Sequence, residues 1–112
     1  NLTKTFFADN GSSGIEVALK MSFHFHKNRG EIKPFFISLE NSYHGETLGA
    51  LAVGDVELYK KIYDELMIKT IQVPVPKTQL REDIFEPLKK LEEVLKNRAS
   101  EISAMVIEPL IQ

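Results

Sequence analysis

The chain has 112 residues, of which 43% are hydrophobic and 27% charged, and its 14 basic and 16 acidic side chains give a formal net charge of −2. This composition indicates one globular domain that can bury a core, and the nearly balanced charge gives no reason to expect a nucleic acid or a membrane as a partner. Without cysteine there is no disulfide framework, no apolar run approaches membrane-spanning length, and a cytoplasmic location is the default expectation.

The two ends of the sequence suggest a piece of a longer protein. The chain begins with Asn rather than Met, and a strand-like run starts within its first five residues. The last six residues, IEPLIQ, follow directly on another strand-like run. We therefore expect residues 1–112 to be part of one domain of a longer chain.

Residues 5–9 (TFFAD) are predicted to form a first strand, and a helix is predicted from about residue 13 to residue 28. In this helix apolar side chains recur every three or four residues and leave one narrow polar stripe, which predicts a mostly buried helix. Arg29 and Gly30 provide a typical helix end. The apolar face consists of Ile15, Ala18, Leu19, Ser22 and Phe25 and is widened by Val17, Met21 and Phe23. The stripe consists of Glu16, Lys20, His24 and Lys27.

His24 and His26 resemble a metal pair only at first sight. Positions two apart on a helix point about 200° away from each other, so the two rings cannot bind one ion. We expect one surface histidine, one half-buried histidine and no metal site.

Residues 35–39 (FFISL) are predicted to form a second, buried strand. A strand, a helix and a strand in this order form a right-handed crossover with parallel strands. Ligands of open parallel sheets lie beyond the carboxyl ends of the strands. The loops at residues 10–13 and 41–45 follow such ends, so we expect them to face one site.

The middle of the chain is predicted to be mostly helical and irregular. Residues 47–53 are small and apolar, which predicts a short buried helix. Residues 56–67 mix apolar and charged side chains, which indicates a surface stretch with a turn or two of helix. Residues 71–76 are extended, and their prolines favour an edge strand or a connection over a central strand.

An amphipathic helix and a strand are predicted at the end of the chain. The helix is expected to start near Glu86-Pro87, to run to about Ala99 and to cover the sheet. Residues 102–107 are predicted to form the last strand, which ends at Glu108-Pro109. The apolar face of the helix consists of Leu88, Leu91 and Leu95.

The segment Asn10-Gly11-Ser12-Ser13 has two interpretations. The first N–H groups of a helix lack partners and the helix dipole is positive there, so a phosphate ester can bind, with Gly11 allowing close approach. The hydroxyls of Ser12 and Ser13 can either cap the helix or bond to the phosphate, and the whole segment also fits an ordinary turn with a serine N-cap. The glycine-rich patterns GxGxxG and GxxxxGK[ST] are both absent.

Three predicted strand ends carry groups that can bind a ligand. Phosphate donors, an aromatic face and a carboxylate together suit a flat, phosphorylated heteroaromatic cofactor. Each has an ordinary explanation when taken alone, because a loop tyrosine usually packs and a Glu-Pro pair usually ends a strand. The three ends are Gly11-Ser12-Ser13, Tyr43-His44-Gly45 and Glu108-Pro109.

In order and spacing, FFADNGSSGIEVALKM, NSYHGETLGALAVG and AMVIEPLIQ resemble the class III pyridoxal-phosphate-dependent aminotransferases over nearly the whole chain. The resemblance implies pyridoxal 5'-phosphate as cofactor and an α/β, three-layer, parallel-sheet fragment of the large cofactor-binding domain of an aspartate-aminotransferase-like fold. It implies that residues of all three ends bind the cofactor. The cofactor phosphate would bind at Gly11, Ser12 and Ser13. The cofactor ring would lie beside Tyr43, His44, Gly45 and Glu108.

The resemblance also implies individual roles. Tyr43 would stack on the pyridine ring, His44 and Gly45 would shape that loop, and Glu108 would position neighbouring groups rather than carry protons. Gly14 departs from the class, whose members often have alanine there.

Three groups of the class would lie beyond Gln112: the Schiff-base lysine, the aspartate that pairs with the pyridine nitrogen, and the arginine that binds the substrate carboxylate. The lysines of this chain lie in polar or charge-rich stretches, whereas a Schiff-base lysine needs a desolvated site. We therefore expect residues 1–112 to contain no catalytic residue and to be inactive alone.

Within the class, NSYHGETLGALAVGD and VIEPLIQ are most similar to the members that act in biotin biosynthesis. That likeness implies a homodimer that transfers an amino group from S-adenosylmethionine to 8-amino-7-oxononanoate, giving 7,8-diaminononanoate. Because the Tyr-His-Gly and Glu-Pro motifs are shared, an ω-amino acid transaminase of the ornithine or 4-aminobutyrate type stays an alternative. A second alternative is a non-catalytic phosphate- or nucleotide-binding α/β module, in which Glu40 would bind a ribose. A third is a plain α/β domain without a ligand.

Overall fold

The centre of the structure is a three-stranded parallel sheet. The computed structural model describes residues 2–78 and 81–109, and in this part of the chain the strands lie in the order β2-β1-β3. The predicted parallel α/β sheet is confirmed, and of the two alternatives for the proline-containing segment the edge strand is the one observed, because β2 lies at an edge. The strands are β1 Phe35–Leu39, β2 Thr70–Val73 and β3 Ile102–Met105.

Within residues 2–78 and 81–109, four helices connect and cover these strands. The short helix predicted at residues 47–53 is confirmed as α2, and residues 56–67 form a helical turn followed by a 3-10 segment, close to the prediction. Among the described helices, none combines the length and hydropathy needed to cross a bilayer. The helices are α1 Gly11–Asn28, α2 Leu48–Val53, α3 Glu57–Lys60 and α4 Arg81–Arg98, with 3-10 segments at Lys61–Leu66 and Ala99–Glu101.

Two hydrophobic clusters lie on opposite faces of the sheet, because successive side chains of a strand point to opposite sides. One face is covered by α1 and α2 and the other by α4, which gives three layers. One cluster consists of Leu19, Phe36 and Val53, and the other consists of Ile37, Val73 and Ile102, with Leu91 and Val94 of α4 packed against it.

The strand predicted at residues 5–9 is wrong, because residues 2–8 have no regular secondary structure. Phe6 is 61% exposed and Phe7 is 87% exposed. These side chains bury little surface and no described strand pairs with the run, so it lacks the ladder partner that a strand needs. The predicted first crossover therefore lacks its first strand, and α1 enters from an extended segment.

Helix α1 begins two residues before its predicted start and is much less buried than expected. Of its residues only Leu19 is buried, whereas Ala18 and Phe25 are exposed. The inward face follows Ile15, Leu19, Ser22 and His26, because only one side of the helix packs on the sheet. The polar Ser22 hydroxyl is used there, lying 3.1 Å from both the carbonyl oxygen and the hydroxyl of Ser103 in β3.

Helix α4 begins at Arg81, five residues before its predicted start, so that Pro87 lies inside the helix. The partly buried apolar positions are Ile84, Pro87, Leu91 and Val94. Burial of this stripe extends the helix upstream of the proline. Leu88 and Leu95, which were assigned to the apolar face, are 55% and 42% exposed.

The two histidines of α1 lie where the helical periodicity places them. His24 is exposed and the side chain of His26 is 17% exposed, which confirms the predicted surface and half-buried pair. His26 Nε2 donates to the carbonyl oxygen of Ser103 at 3.1 Å, and His26 Nδ1 lies 2.6 Å from Glu31 Oε2. His26 and Glu31 therefore tie the end of α1 to β3.

We expect the loss of the Glu31 charge to weaken this tie as the solution is acidified. The hydrogen bond from His26, followed by that from Arg29, holds the pKa of the Glu31 carboxyl below its usual 4.5. Because the folded pKa is depressed, the stabilisation is fully present above 4.5 and is lost as the pH falls through the folded value. Thermal unfolding midpoints measured across the acid range should fall more steeply for the wild type than for Glu31→Gln, and equal slopes would contradict the prediction.

Candidate functional site

The N-terminus of α1 lies at the carboxyl edge of the sheet and presents two free amides. Asn10 Oδ1 accepts from Ser13 N at 2.8 Å, and the carbonyl oxygen of Asn10 accepts from Gly14 N at 3.1 Å. Asn10, rather than a serine, is therefore the N-cap. The amides of Gly11 and Ser12 have no hydrogen-bond partner among the described residues, which leaves two donors at the positive end of an 18-residue helix.

The loop that follows β1 is fixed at its base by Asp55. Asn41 has φ 58°, in the left-handed region, and its amide donates to Asp55 Oδ2 at 2.9 Å. The amide of Asp55 donates in turn to the carbonyl oxygen of Ser42 at 2.7 Å, and the hydroxyl of buried Ser42 donates to the carbonyl oxygen of Leu39 at 2.7 Å. These bonds fix the direction in which Tyr43 and the residues after it leave the strand.

Gly45 brings this loop against the N-terminus of α1. Its φ is 120°, which side chains rarely tolerate, and a Cβ at this position would lie 2.8 Å from Ser12 Cβ and 3.2 Å from Ser12 Cα. Only glycine allows the two backbones to approach so closely. The two loops predicted to face one site are therefore in direct contact.

Tyr43 is held by three different groups. Its amide donates to Glu108 Oε2 at 2.9 Å, its hydroxyl donates to Glu46 Oε1 at 3.3 Å, and its ring lies edge-to-face with that of Tyr59, with centroids 6.5 Å apart. Desolvation, followed by the charge of Glu46, raises the pKa of the Tyr43 phenol, so it stays protonated at neutral pH. The bond to Glu108 joins the third strand end to the other two.

His44 carries a polar atom without a partner. Its Nε2 is buried and has no hydrogen bond within the described residues. Partial burial lowers the pKa of the imidazole, against the opposing charge of Glu108, which favours a neutral ring at pH 7. Such a nitrogen can form one hydrogen bond with a group that is brought to this edge.

Glu16 has a role that the sequence did not indicate. It was assigned to the solvent-facing stripe of α1, but its Oε1 accepts from Gly49 N at 2.6 Å and from Ala50 N at 3.4 Å. Thr47, at the N-cap of α2, makes no side-chain capping bond, so the carboxylate of Glu16 caps α2 in its place. Neither this contact nor the ring contact of Tyr59 leaves a sequence signal, because both depend on tertiary packing.

The structure thus brings together the seven residues singled out from the sequence. Contacts between Ser12 and Gly45, and between Tyr43 and Glu108, link the ends of β1 and β3 to the N-terminus of α1. The Ser13 amide is already used by Asn10, whereas those of Gly11 and Ser12 are available. The result is a short rim with two free donors, an aromatic ring and a carboxylate.

Known proteins share this arrangement of sequence and fold. The model of the family "Aminotransferase class-III" matches residues 1–112. The adenosylmethionine-8-amino-7-oxononanoate aminotransferase of Helicobacter pylori is 51% identical over 114 residues, which cover 100% of this chain and 26% of that protein. The chain therefore spans about a quarter of the length of this curated relative.

Solved structures of transaminases are similar to this chain in fold. The crystal structure of the adenosylmethionine-8-amino-7-oxononanoate aminotransferase of Methanocaldococcus jannaschii superposes with a TM-score of 0.75 at 26% identity, covering 88% of this chain and 21% of that one. An amine transaminase from an uncultivated Pseudomonas species, solved in its PLP-bound form, gives a TM-score of 0.80 at 27% identity, covering 92% of this chain and 26% of that one. Since the family model matches the whole chain, this chain belongs to the class-III aminotransferase family.

Proposed function

We propose that residues 1–112 are part of the large domain of a pyridoxal-phosphate-dependent aminotransferase and form one wall of its cofactor site. The observation that carries the proposal is the close approach of Gly45 to Ser12, which sets a helix end with free amides beside the loop of Tyr43. Family membership and the PLP-bound structure of a related amine transaminase support pyridoxal 5'-phosphate as the cofactor.

The N-terminus of α1 suits the phosphate of this cofactor. The unpartnered amides of Gly11 and Ser12 point out of the positive helix end, where a phosphate monoester binds well. Ser12 Oγ and Ser13 Oγ have no hydrogen bond within the described residues, so both hydroxyls are available as further donors. Because Asn10 caps the helix, these amides and hydroxyls can bind phosphate without breaking a capping hydrogen bond.

Tyr43 suits the ring. An edge-to-face pair uses at most one face of each ring, so Tyr59 leaves at least one face of the Tyr43 ring uncovered for stacking on a flat heteroaromatic ring. A tyrosine phenol is protonated at neutral pH at its ordinary pKa of 10.0, and the raised pKa of Tyr43 only strengthens this, so no negative charge lies beside the cofactor. Tyr43 thus orients the ring while the helix end holds the phosphate.

Glu108 and His44 complete the wall. Glu108 holds the Tyr43 amide through a carboxylate oxygen, so its role is to position Tyr43 rather than to move a proton. The buried Nε2 of His44 is left to bond with a group from outside the described residues. When bound, pyridoxal phosphate supplies the electron sink through which an amino group is exchanged.

None of the lysines that the structure describes suits covalent catalysis. Lys60 Nζ donates to the carbonyl oxygens of Gly54, at 2.8 Å, and Ala52, at 3.4 Å, at the end of α2. Lys90 and Lys96 form exposed ion pairs on α4. We therefore propose that the reactive lysine lies outside residues 1–112 and that this chain alone is inactive.

For the complete protein we propose amino transfer from S-adenosylmethionine to 8-amino-7-oxononanoate, giving 7,8-diaminononanoate in biotin biosynthesis. The 51% identity to the Helicobacter pylori relative supports this choice within the family. We further propose a cytoplasmic homodimer, and the exposed apolar side chains of α1 support additional covering of this surface in the complete protein. They are Met21, Phe23 and Phe25.

A donor screen of the complete, cofactor-loaded protein tests the proposal. With 8-amino-7-oxononanoate as acceptor, we expect 7,8-diaminononanoate to form with S-adenosylmethionine and not with ornithine or 4-aminobutyrate, as measured by mass spectrometry. Turnover with the latter donors alone would support the ω-amino acid transaminase alternative, which the similarity to the amine transaminase keeps open. Absence of pyridoxal phosphate binding would leave a phosphate- or nucleotide-binding module.

A further inference from the structure

Tyr59 lies against Tyr43 without belonging to any of the three loops at the rim. The two ring centroids are 6.5 Å apart with an interplanar angle of 68°, an edge-to-face arrangement that is favourable in itself. Tyr59 is 43% exposed, and no described residue hydrogen-bonds to its hydroxyl. Its contact with Tyr43 is therefore an edge-to-face ring contact without a hydrogen bond.

The segment that carries Tyr59 is fixed relative to the loop that carries Tyr43. At the base, the amide of Asn41 and the carbonyl oxygen of Ser42 are both bonded to Asp55. Further along, Lys60 Nζ donates to the carbonyl oxygen of Gly54 at 2.8 Å and holds α3 against the end of α2. The contact between the rings of Tyr43 and Tyr59 is therefore a second connection between two segments that are already hydrogen-bonded at their base.

The two hydrogen bonds of Tyr43 act at its amide and at its hydroxyl, not on the faces or edges of its ring. Glu108 holds only the main-chain amide, and the bond from the hydroxyl to Glu46 is 3.3 Å long and exposed. A side chain fixed only at its amide can still change its rotamer. Among the aromatic side chains that the structure describes, Tyr59 is the one that contacts this ring.

We propose that Tyr59 is a positioning residue that holds the Tyr43 ring in the orientation in which it stacks on the cofactor. The inference rests on the proposed cofactor role of Tyr43 and extends it to a residue of α3. Tyr59 does not need to touch the cofactor, because it lowers the number of orientations that Tyr43 must give up on binding.

A double-mutant cycle in the complete protein tests the proposal. Tyr59→Leu should weaken pyridoxal phosphate binding about threefold to tenfold, measured by absorbance titration of the apoprotein, and should reduce the visible circular dichroism of the bound cofactor. Tyr59→Phe keeps the ring and should restore both values. Tyr63→Leu is the matched control, because Tyr63 is 46% exposed in the following 3-10 segment and has no aromatic contact within the described residues.

The Tyr43→Leu background separates this inference from the proposed function. There Tyr59→Leu should have no further effect on cofactor affinity, because the ring that it positions is gone. If Tyr43→Leu itself leaves affinity unchanged, the cofactor role of Tyr43 fails. If Tyr43→Leu weakens binding but Tyr59→Leu does not, or if the effect of Tyr59→Leu persists undiminished without Tyr43, the positioning role is overturned and the cofactor site stands.

Discussion

Replacing Gly45 by alanine is expected to lower the free energy of unfolding by about 2–5 kcal/mol, because two penalties act together. An L side chain is strained at φ 120°, and its Cβ would lie 2.8 Å from Ser12 Cβ and 3.2 Å from Ser12 Cα. Ser12 Oγ can rotate away, but Ser12 Cα belongs to the backbone of α1. The helix end and the loop must therefore separate.

This separation should also reduce function. A displacement of about 1 Å between the proposed phosphate donors of α1 and the ring of Tyr43 is expected to lower kcat/KM roughly 100-fold. The measurements are urea unfolding and steady-state kinetics of the complete protein at saturating cofactor.

Gly30→Ala provides the matched control for Gly45→Ala. Gly30 also has a positive φ, of 75°, but a Cβ there would meet no atom within 4 Å. It should therefore cost only the backbone strain, about 1–2 kcal/mol, and leave the kinetics unchanged. Equal effects of the two substitutions on stability and turnover would show that the contact with Ser12 is unimportant.

The parts of the fold that could be predicted from the sequence have local signals. The run FFISL forms β1, the small apolar residues of α2 form a short buried helix, and the prolines after β2 accompany an edge strand. Each of these signals combines composition with a boundary that is visible within ten residues. The three strand ends could be proposed as one site because parallel strands place their carboxyl ends at one edge.

The predictions from the sequence were wrong where tertiary packing determines the structure. Residues 5–9 have the composition of a strand but no pairing partner in the described sheet, and the periodicity of α1 could not show that only one of its sides packs. Asn10 and Ser12 are equally good caps by residue type, so only the geometry shows that Asn10 caps the helix and leaves the serine free. The contacts of Glu16 and Tyr59 join residues whose proximity no local pattern encodes.

Replacing Glu16 by alanine is expected to lower the free energy of unfolding by about 2–3 kcal/mol. The change removes a charged acceptor from the amides of Gly49 and Ala50, and Thr47 makes no side-chain bond that could replace it. Ala50 is fully buried, so water cannot easily satisfy its freed amide. The first turn of α2 should then loosen, as measured by urea unfolding and by faster amide hydrogen exchange at residues 49 and 50.

Two substitutions determine whether capping by Glu16 is the cause. Glu16→Gln keeps an acceptor oxygen without its charge and should cost about half as much, since charge-assisted hydrogen bonds are roughly twice as strong as neutral ones. Lys20→Ala, an exposed position one turn further along α1, should stay within about 0.5 kcal/mol of the wild type. If Glu16→Ala behaved like Lys20→Ala, Glu16 would be a surface residue after all. Because α2 follows the loop of His44 and Gly45, loosening its first turn should also reduce cofactor retention, which joins the capping of α2 to the proposed site.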